Sequence, residues 1–216
     1  MTKTTRLLIC SVVRKPPAVV AAFLKCLSWQ QLRTPIDISY RFVLNFAPSD
    51  AFAAESTEVV AAFKKQYSRT TVLSTTAPDG DYGDTPVTRA WTPTAWHRMG
   101  AIKDDLLKHA RDNGFDYIWL VDADVLCDPH TLQSLLDNDE RIVAGVYWTF
   151  WQRQIDGATG QMHAGPQCWM RHPYEMKGNF YEADEFRRAL IGRERVAVAG
   201  LGACTLIRRD ALEAGV

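Results

Sequence analysis

Apolar residues fall in short blocks whose internal spacing switches repeatedly between nearly continuous runs and a period of three to four. Arg6 to Val13 is almost continuous and rich in branched side chains, which predicts a buried strand. Pro16 and Pro17 suit the first turn of a helix, and Val19, Val20, Phe23, Leu24 and Leu27 supply its apolar stripe. Tyr40 to Phe46 predicts a second strand. Pro48-Ser49-Asp50 gives a turn and helix start, and Val59, Val60 and Phe63 mark a second helix. Thr70 to Thr75 is a short third strand. Residues 78–93 are dense in glycine and proline turn signals and predict a loop bordering a binding site. Met99, Ile102, Leu106 and Ala110 form the stripe of a third helix, ended by Asn113-Gly114.

Asp116 to Asp124 is an apolar run closed by two carboxylates, the pattern of a central parallel strand. Asp128 and Pro129 fit the N-cap and first position of another helix, and Arg141 to Tyr147 predicts a fifth strand. Residues 157–180 read as irregular, and Val196 to Ile207 as strand-like, interrupted by Gly200 and Gly202. Strands alternating with helices predict an α/β fold, a mostly parallel central sheet with helices on both faces. With 216 residues and 47% apolar content, the expectation is one domain over 1–216 around one core, not a disordered chain.

The apolar runs, such as Tyr117 to Val121 and Val59 to Phe63, fall far short of the ~18 residues a membrane-spanning helix needs. Lys3 and Arg6 before Leu7 to Val13 imitate a signal peptide, but Arg14 and Lys15 break the run and no small-residue cleavage site follows. Twenty-five basic and twenty-five acidic residues cancel, so bulk charge selects no nucleic-acid partner. Five cysteines, Cys10, Cys26, Cys127, Cys168 and Cys204, are odd in number and contain no CxxC pair. They signal neither a disulfide framework nor a zinc site, and suggest a reducing, cytoplasmic setting.

In an extended segment Asp122 and Asp124 point to one face. Two carboxylates at the carboxyl end of a parallel strand lie where open α/β sheets bind ligands. Oxygen ligands without nearby Cys or His suit Mg²⁺ or Mn²⁺, which shares its coordination with substrate phosphates. The plain alternative is a pair of strand-end aspartates that cap the next helix and face water. His163 and His172 read as polar loop residues. Asp79 to Asp84 lacks the ligand order and closing glutamate of a calcium loop. Tyr147, Trp148, Phe150 and Trp151 offer flat faces to a sugar or base, or form a core cluster.

The stretch from Trp91 to Val125, which ends Phe-Asp-Tyr-Ile-Trp-Leu-Val-Asp-Ala-Asp-Val, resembles the helix and DxD strand of GT-A glycosyltransferases. It is most similar to the collagen hydroxylysine galactosyltransferase branch and to family 2-like enzymes, and Thr131-Leu132 and Val143-Ala144-Gly145 continue the likeness. The resemblance implies a GT-A fold and metal-dependent transfer of a sugar from a nucleotide diphosphate donor, a UDP-sugar, to an acceptor hydroxyl. That hydroxyl belongs to a glycan, a protein or a hydroxylated DNA base. By position, Ser11, Val13, Arg14 and Asn45 would border the nucleotide, and Arg98 or Lys103 the diphosphate. Asp124 would ligate Mn²⁺ or Mg²⁺, with Asp122 and Ala123 at the ribose or metal water. Trp148, Gly200 and Gly202 would lie beside the sugar. Leu44-Asn45-Phe46 departs from the Asp-Asp-Gly of many relatives.

Two other readings stay open. Asp122-Ala-Asp-Val-Leu126 also resembles the nucleophile motif of haloacid-dehalogenase-type phosphatases, although that motif usually sits on the first strand. A glycan-binding or partner-binding module without turnover is the other. No general base is evident: Asp210 and Glu213 read as solvated residues of a short surface helix, leaving Glu182, Asp184 and Glu185 as candidates. The alternative expectation is that the chain lacks its C-terminal part and transfers sugar poorly without it.

Overall fold

The computed structural model describes residues 4–80, 82–84, 89–155, 158–166, 168–169, 188, 195–198 and 200–215. In chain order the elements begin β1 (Arg6–Val13), α1 (Pro17–Ser28), β2 (Asp37–Phe46), α2 (Ala53–Gln66) and β3 (Thr70–Thr76). Then come β4 (Tyr82–Asp84), β5 (Arg89–Trp91), α3 (Pro93–Asp112), β6 (Tyr117–Val121), α4 (Thr131–Leu136) and β7 (Ile142–Ala144). The remainder is β8 (Trp148–Ile155), β9 (Ala158–Pro166), β10 (Cys168–Trp169), β11 (Gly200–Leu201), β12 (Cys204–Arg208) and α5 (Arg209–Glu213).

Six strands form the central sheet in the order β3-β2-β1-β6-β12-β7. β3, β2, β1 and β6 are mutually parallel, while β12 runs antiparallel to both β6 and β7. The α/β class and mostly parallel sheet are therefore as the strand-helix alternation predicts. Alternation along β1 sorts the two faces. Leu7, Ile9 and Val13 pack with Phe23, Leu24 and Leu27 of α1 and with Val60 and Phe63 of α2. Leu8 and Cys10 face Ile102, Leu106 and Ala110 of α3 and Ala211 and Leu212 of α5. Trp119, fully buried at the centre of β6, anchors the first of these layers.

Local chemistry sets the ends of α3. Thr92 Oγ1 accepts the Ala95 N–H at 3.1 Å, Pro93 occupies the first turn, and Gly114, at φ +68°, supplies the left-handed residue after the helix. This fixes the helix along the sheet, so that Lys103 faces the carboxyl end of β6.

Three expectations are corrected. The loop over 78–93 contains the β4–β5 hairpin, with Tyr82 opposite Trp91. Part of the segment read as irregular is a longer hairpin: β8 pairs with β9 from Trp148↔Pro166 to Ile155↔Ala158, with an irregularity between Gln152 and Gln154. Asp156-Gly157, lying between the last pair, is a strong two-residue hairpin signal that outweighs the glycine-rich texture around it. α4 begins at Thr131 rather than behind an Asp128 cap, because Asp128 Oδ1 accepts the His130 N–H and the Asp128 carbonyl accepts the Thr131 N–H, forming a separate turn. Among the described residues no helix is long and apolar enough to cross a membrane.

Candidate active site

β6 delivers Asp122 and Asp124 to the carboxyl end of the parallel strands, but not by strand alternation. The strand ends at Val121, and Ala123 and Asp124 form a turn closed by the Val125 N–H on the Asp122 carbonyl at 3.0 Å. The buried Ala123 methyl pins this turn to the core. The two carboxylates are nonetheless close to one group. The phenol of Tyr147 is pushed up to about 12, first by burial and then by the negative charges of Asp122 and, more weakly, Asp124.

Each carboxylate has its own cation. Lys103 Nζ, from α3, lies 3.1 Å from Asp122 Oδ1. Lys15, between β1 and α1, pairs with Asp124. Both carboxylates remain partly exposed, at 43% for Asp122 and 47% for Asp124. Lys15 was not among the donor-site residues read from the sequence, and no local pattern marks it; Tyr147 stood out only as one of the aromatic group after the fifth strand, not as a neighbour of the aspartates.

The glycine-bearing segment also reaches this point. The Asp122 N–H donates to the Ala203 carbonyl at 2.8 Å, and Cys204 stands opposite Val121 in the β6–β12 ladder. Gly202, whose carbonyl accepts from Thr205 Oγ1 at 2.8 Å, is thus next to the aspartate turn. Gly200 lies in β11, opposite Trp169.

Ser11, Val13 and Asn45 come to the same end of the sheet on β1 and β2. Val13 is buried in the core, so it can offer only backbone to a ligand. Two buried polar atoms there lack a hydrogen-bond partner among the described residues: Ser11 Oγ and Asn45 Nδ2. The Asn45 amide is anchored at its other atom, where Oδ1 accepts from Thr75 Oγ1 at 3.2 Å. Arg14 is held by Asp50 through two bonds of 2.6 and 3.1 Å, and Asp50 Oδ2 also accepts the Ala47 N–H. That fork orders the chain after β1. Arg98 lies on α3 with its guanidinium nitrogens buried.

Trp148 begins β8 opposite Pro166. Asp184, Glu185 and Glu182 lie outside the described residues. Asp210 and Glu213 are exposed and paired with Arg208 and Arg209 at 2.9 and 2.7 Å, as a solvated surface helix requires. A separate cleft of about 330 Å³, lined by Ser39, Arg41, Arg69, Thr71 and His109 among others, opens at the opposite, amino end of β2 and β3.

No group of three or more His, Cys, Asp or Glu side chains able to hold a metal ion occurs among the described residues. The aspartate turn presents two half-exposed carboxylates, each paired with a lysine. No curated protein matches the chain. Residues 4–154 match the sequence profile of "Glycosyltransferase family 25, N-terminal domain", a span that holds β1 to β7 and the whole aspartate turn. Sugar transfer, with a sugar donor and an acceptor, is the chemistry of that profile, not phosphate ester hydrolysis, and the chain belongs to glycosyltransferase family 25.

Proposed function

We propose that the protein transfers a sugar from a nucleoside diphosphate donor, with UDP as the nucleotide, to an acceptor hydroxyl on a glycan or protein. We further propose that Asp122 and Asp124 hold Mn²⁺ or Mg²⁺ for that reaction. The observation that carries the reading is the half-exposed carboxylate pair at the carboxyl end of β6, bracketed by Lys15 and Lys103. Two hard oxygen ligands with room for water and phosphate suit these cations, which rarely take a full set of protein ligands. Bound there, the cation supplies neutralisation of the charge that builds on the leaving diphosphate.

The chain's own residues do the rest. Lys15 and Lys103 balance the carboxylates and stand ready for diphosphate oxygens at the same point. Asn45 Nδ2, a buried donor without a partner among the described residues, suits a carbonyl of the nucleobase. Gly202 removes a side chain beside the aspartate turn, where the sugar must approach backbone. Tyr147, a neutral phenol throughout the physiological range, can donate a hydrogen bond into the site. Asp184 and Glu185 remain the candidates for the base that takes the acceptor proton.

Binding of UDP to the full chain, titrated with Mn²⁺ and again in chelator, tests the reading. Mn²⁺ should tighten binding in the wild type and not in Asp124→Asn. Equal binding in chelator would overturn the metal's part. It would favour a second reading motivated by the two ion pairs: Lys15 and Lys103 neutralise the diphosphate directly. In that case Lys15→Met and Lys103→Met would remove the chelator-resistant binding.

A further inference from the structure

Three cysteines distant in sequence converge beneath the aspartate turn. Cys26 is on α1, Cys127 is in the segment between Asp124 and α4, and Cys204 opens β12. The Cys127 N–H donates to Cys26 Sγ at 3.3 Å, and the Cys26 thiol lies 3.9 Å from the Val125 carbonyl. On its other side Cys127 Sγ is 3.9 Å from Cys204 Sγ. The same segment is clamped to the end of α1 by Gln30, whose side chain bonds the Asp128 carbonyl at 2.9 Å and the Leu132 N–H at 2.9 Å. The Gln31 N–H adds a bond to the Pro129 carbonyl at 2.7 Å. The thiols thus sit inside the contact that positions the Asp122–Asp124 turn.

The three differ in access. Cys204 is 3% exposed, whereas Cys26 and Cys127 are only half-buried. Cys10, fully buried against α3, stands apart, and burial pushes its thiol up. We propose that Cys26 and Cys127 are a thiol modification site that exchanges with a small-molecule disulfide to form a reversible Cys26–Cys127 bond, displacing the aspartate turn.

The steps balance. The Cys26 thiolate attacks one sulfur of the small disulfide, forming a mixed disulfide and expelling a thiolate, which takes up the proton Cys26 has lost. Cys127 then attacks the Cys26 sulfur, and its proton goes to the second departing thiolate. Two protein thiols are oxidised to one disulfide, and one small disulfide is reduced to two thiols. The thiol of Cys127 and then its backbone N–H hold the Cys26 thiol down to about 7 against the opposing effect of burial, which suits it as the attacking group. Capping Cys26 also removes one of the contacts that push the Cys127 thiol up. A disulfide needs sulfurs ~2.05 Å apart, so Cys127 must swing from Cys204 toward α1. Asp124 is three residues away on the same segment.

The test equilibrates the folded full chain with mixtures of oxidised and reduced glutathione, traps free thiols by alkylation, and maps linked peptides by mass spectrometry. A Cys26–Cys127 peptide should form, reverse with dithiothreitol, vanish in Cys26→Ser and Cys127→Ser, and persist in Cys204→Ser. A stable glutathione adduct on Cys26 without the linked peptide, or a peptide joining Cys127 to Cys204 instead, would overturn the inference. The effect on the turn rests on the proposed donor site. UDP with Mn²⁺ should bind the oxidised wild type about fivefold more weakly or worse, the lower end of ordinary coupling between sites, and oxidant should leave Cys26→Ser, which cannot begin the exchange, unaffected. If the reduced wild type binds no UDP while the linked peptide forms, the donor assignment fails and the thiol site stands. Unchanged UDP affinity on oxidation would remove its link to the turn.

Discussion

Lys103 Nζ lies 3.1 Å from Asp122 Oδ1, joining the middle of α3 to the first residue after β6. The side chains are 36% and 43% exposed, so the pair belongs to the class worth ~0–1 kcal/mol in stability. Its importance is positional. Lys103→Met should change the unfolding free energy by no more than that range while weakening UDP binding by roughly tenfold, the effect of losing one charge-assisted contact. Denaturation and binding titrations on the same preparation check this. A large stability loss with unchanged affinity would make Lys103 a packing residue instead.

Asn45 poses the reverse case. Its Nδ2 is buried with no partner among the described residues, and its Oδ1 is met only by Thr75, an exposed residue that water can satisfy. An unmatched buried donor opposes folding, so Asn45→Leu should change stability by no more than about 1 kcal/mol, in either direction. Nucleoside diphosphate binding should weaken, because the donor proposed to meet the base is gone. A variant that loses several kcal/mol and binds normally when folded would place Asn45 in the scaffold alone.

Gly145 follows β7, and its N–H donates to the Cys204 carbonyl at 2.9 Å. A Cβ there would stand 3.3 Å from Cys204 Sγ and 3.9 Å from Thr131 Cγ2. Gly145→Ala should therefore destabilise by ~1–2 kcal/mol through overpacking. Adding Cys204→Ala removes the crowding sulfur, so the double variant should be more stable than the sum of the singles allows. Simple additivity in a denaturation cycle would show that the 145 backbone relaxes without touching Cys204.

The legible part of this chain is the part whose signal is local. β6 reads as a continuous apolar run because it is covered on both faces, and the carboxylates that end it stand out against that background. The stripe of α3 is legible for the same reason, with Ile102, Leu106 and Ala110 buried as its period requires. The direction of the aspartates was not: they are brought to Tyr147 by a turn, where a straight strand was expected. Lys15 reaches the site only because β1 flanks β6, and the Ala203 carbonyl meets the Asp122 N–H only because β12 does, relationships that no window of sequence contains. The Asp128 cap failed because an aspartate before proline serves a tight turn as well as a helix start, and the bonds from Gln30 and Gln31, just past α1, to the Asp128 and Pro129 carbonyls favour the turn.

The thiol of Cys26 gives the last prediction, a dependence on pH. Its folded value of about 7 lies below the ordinary 9.0, held there by the Cys127 thiol and then by the Cys127 N–H, against burial. Cys127 stays protonated across this interval, pushed up by its contacts with Cys204 and Cys26. A group depressed on folding contributes stability that is complete above its unfolded value and is lost as pH falls through its folded value. Stability should therefore rise between pH 7 and 9 by a share that Cys26→Ser abolishes. Alkylation of Cys26 by iodoacetamide in the folded chain should follow the thiolate, reaching half its maximal rate near pH 7, whereas the urea-unfolded chain should do so near 9.0. Cys127→Ala, which removes the neighbouring thiol and keeps the backbone N–H, should move the folded midpoint upward. A folded midpoint already near 9.0 in the wild type would show that Cys127 does not stabilise the Cys26 thiolate, and would leave Cys26 no more reactive than an unfolded cysteine.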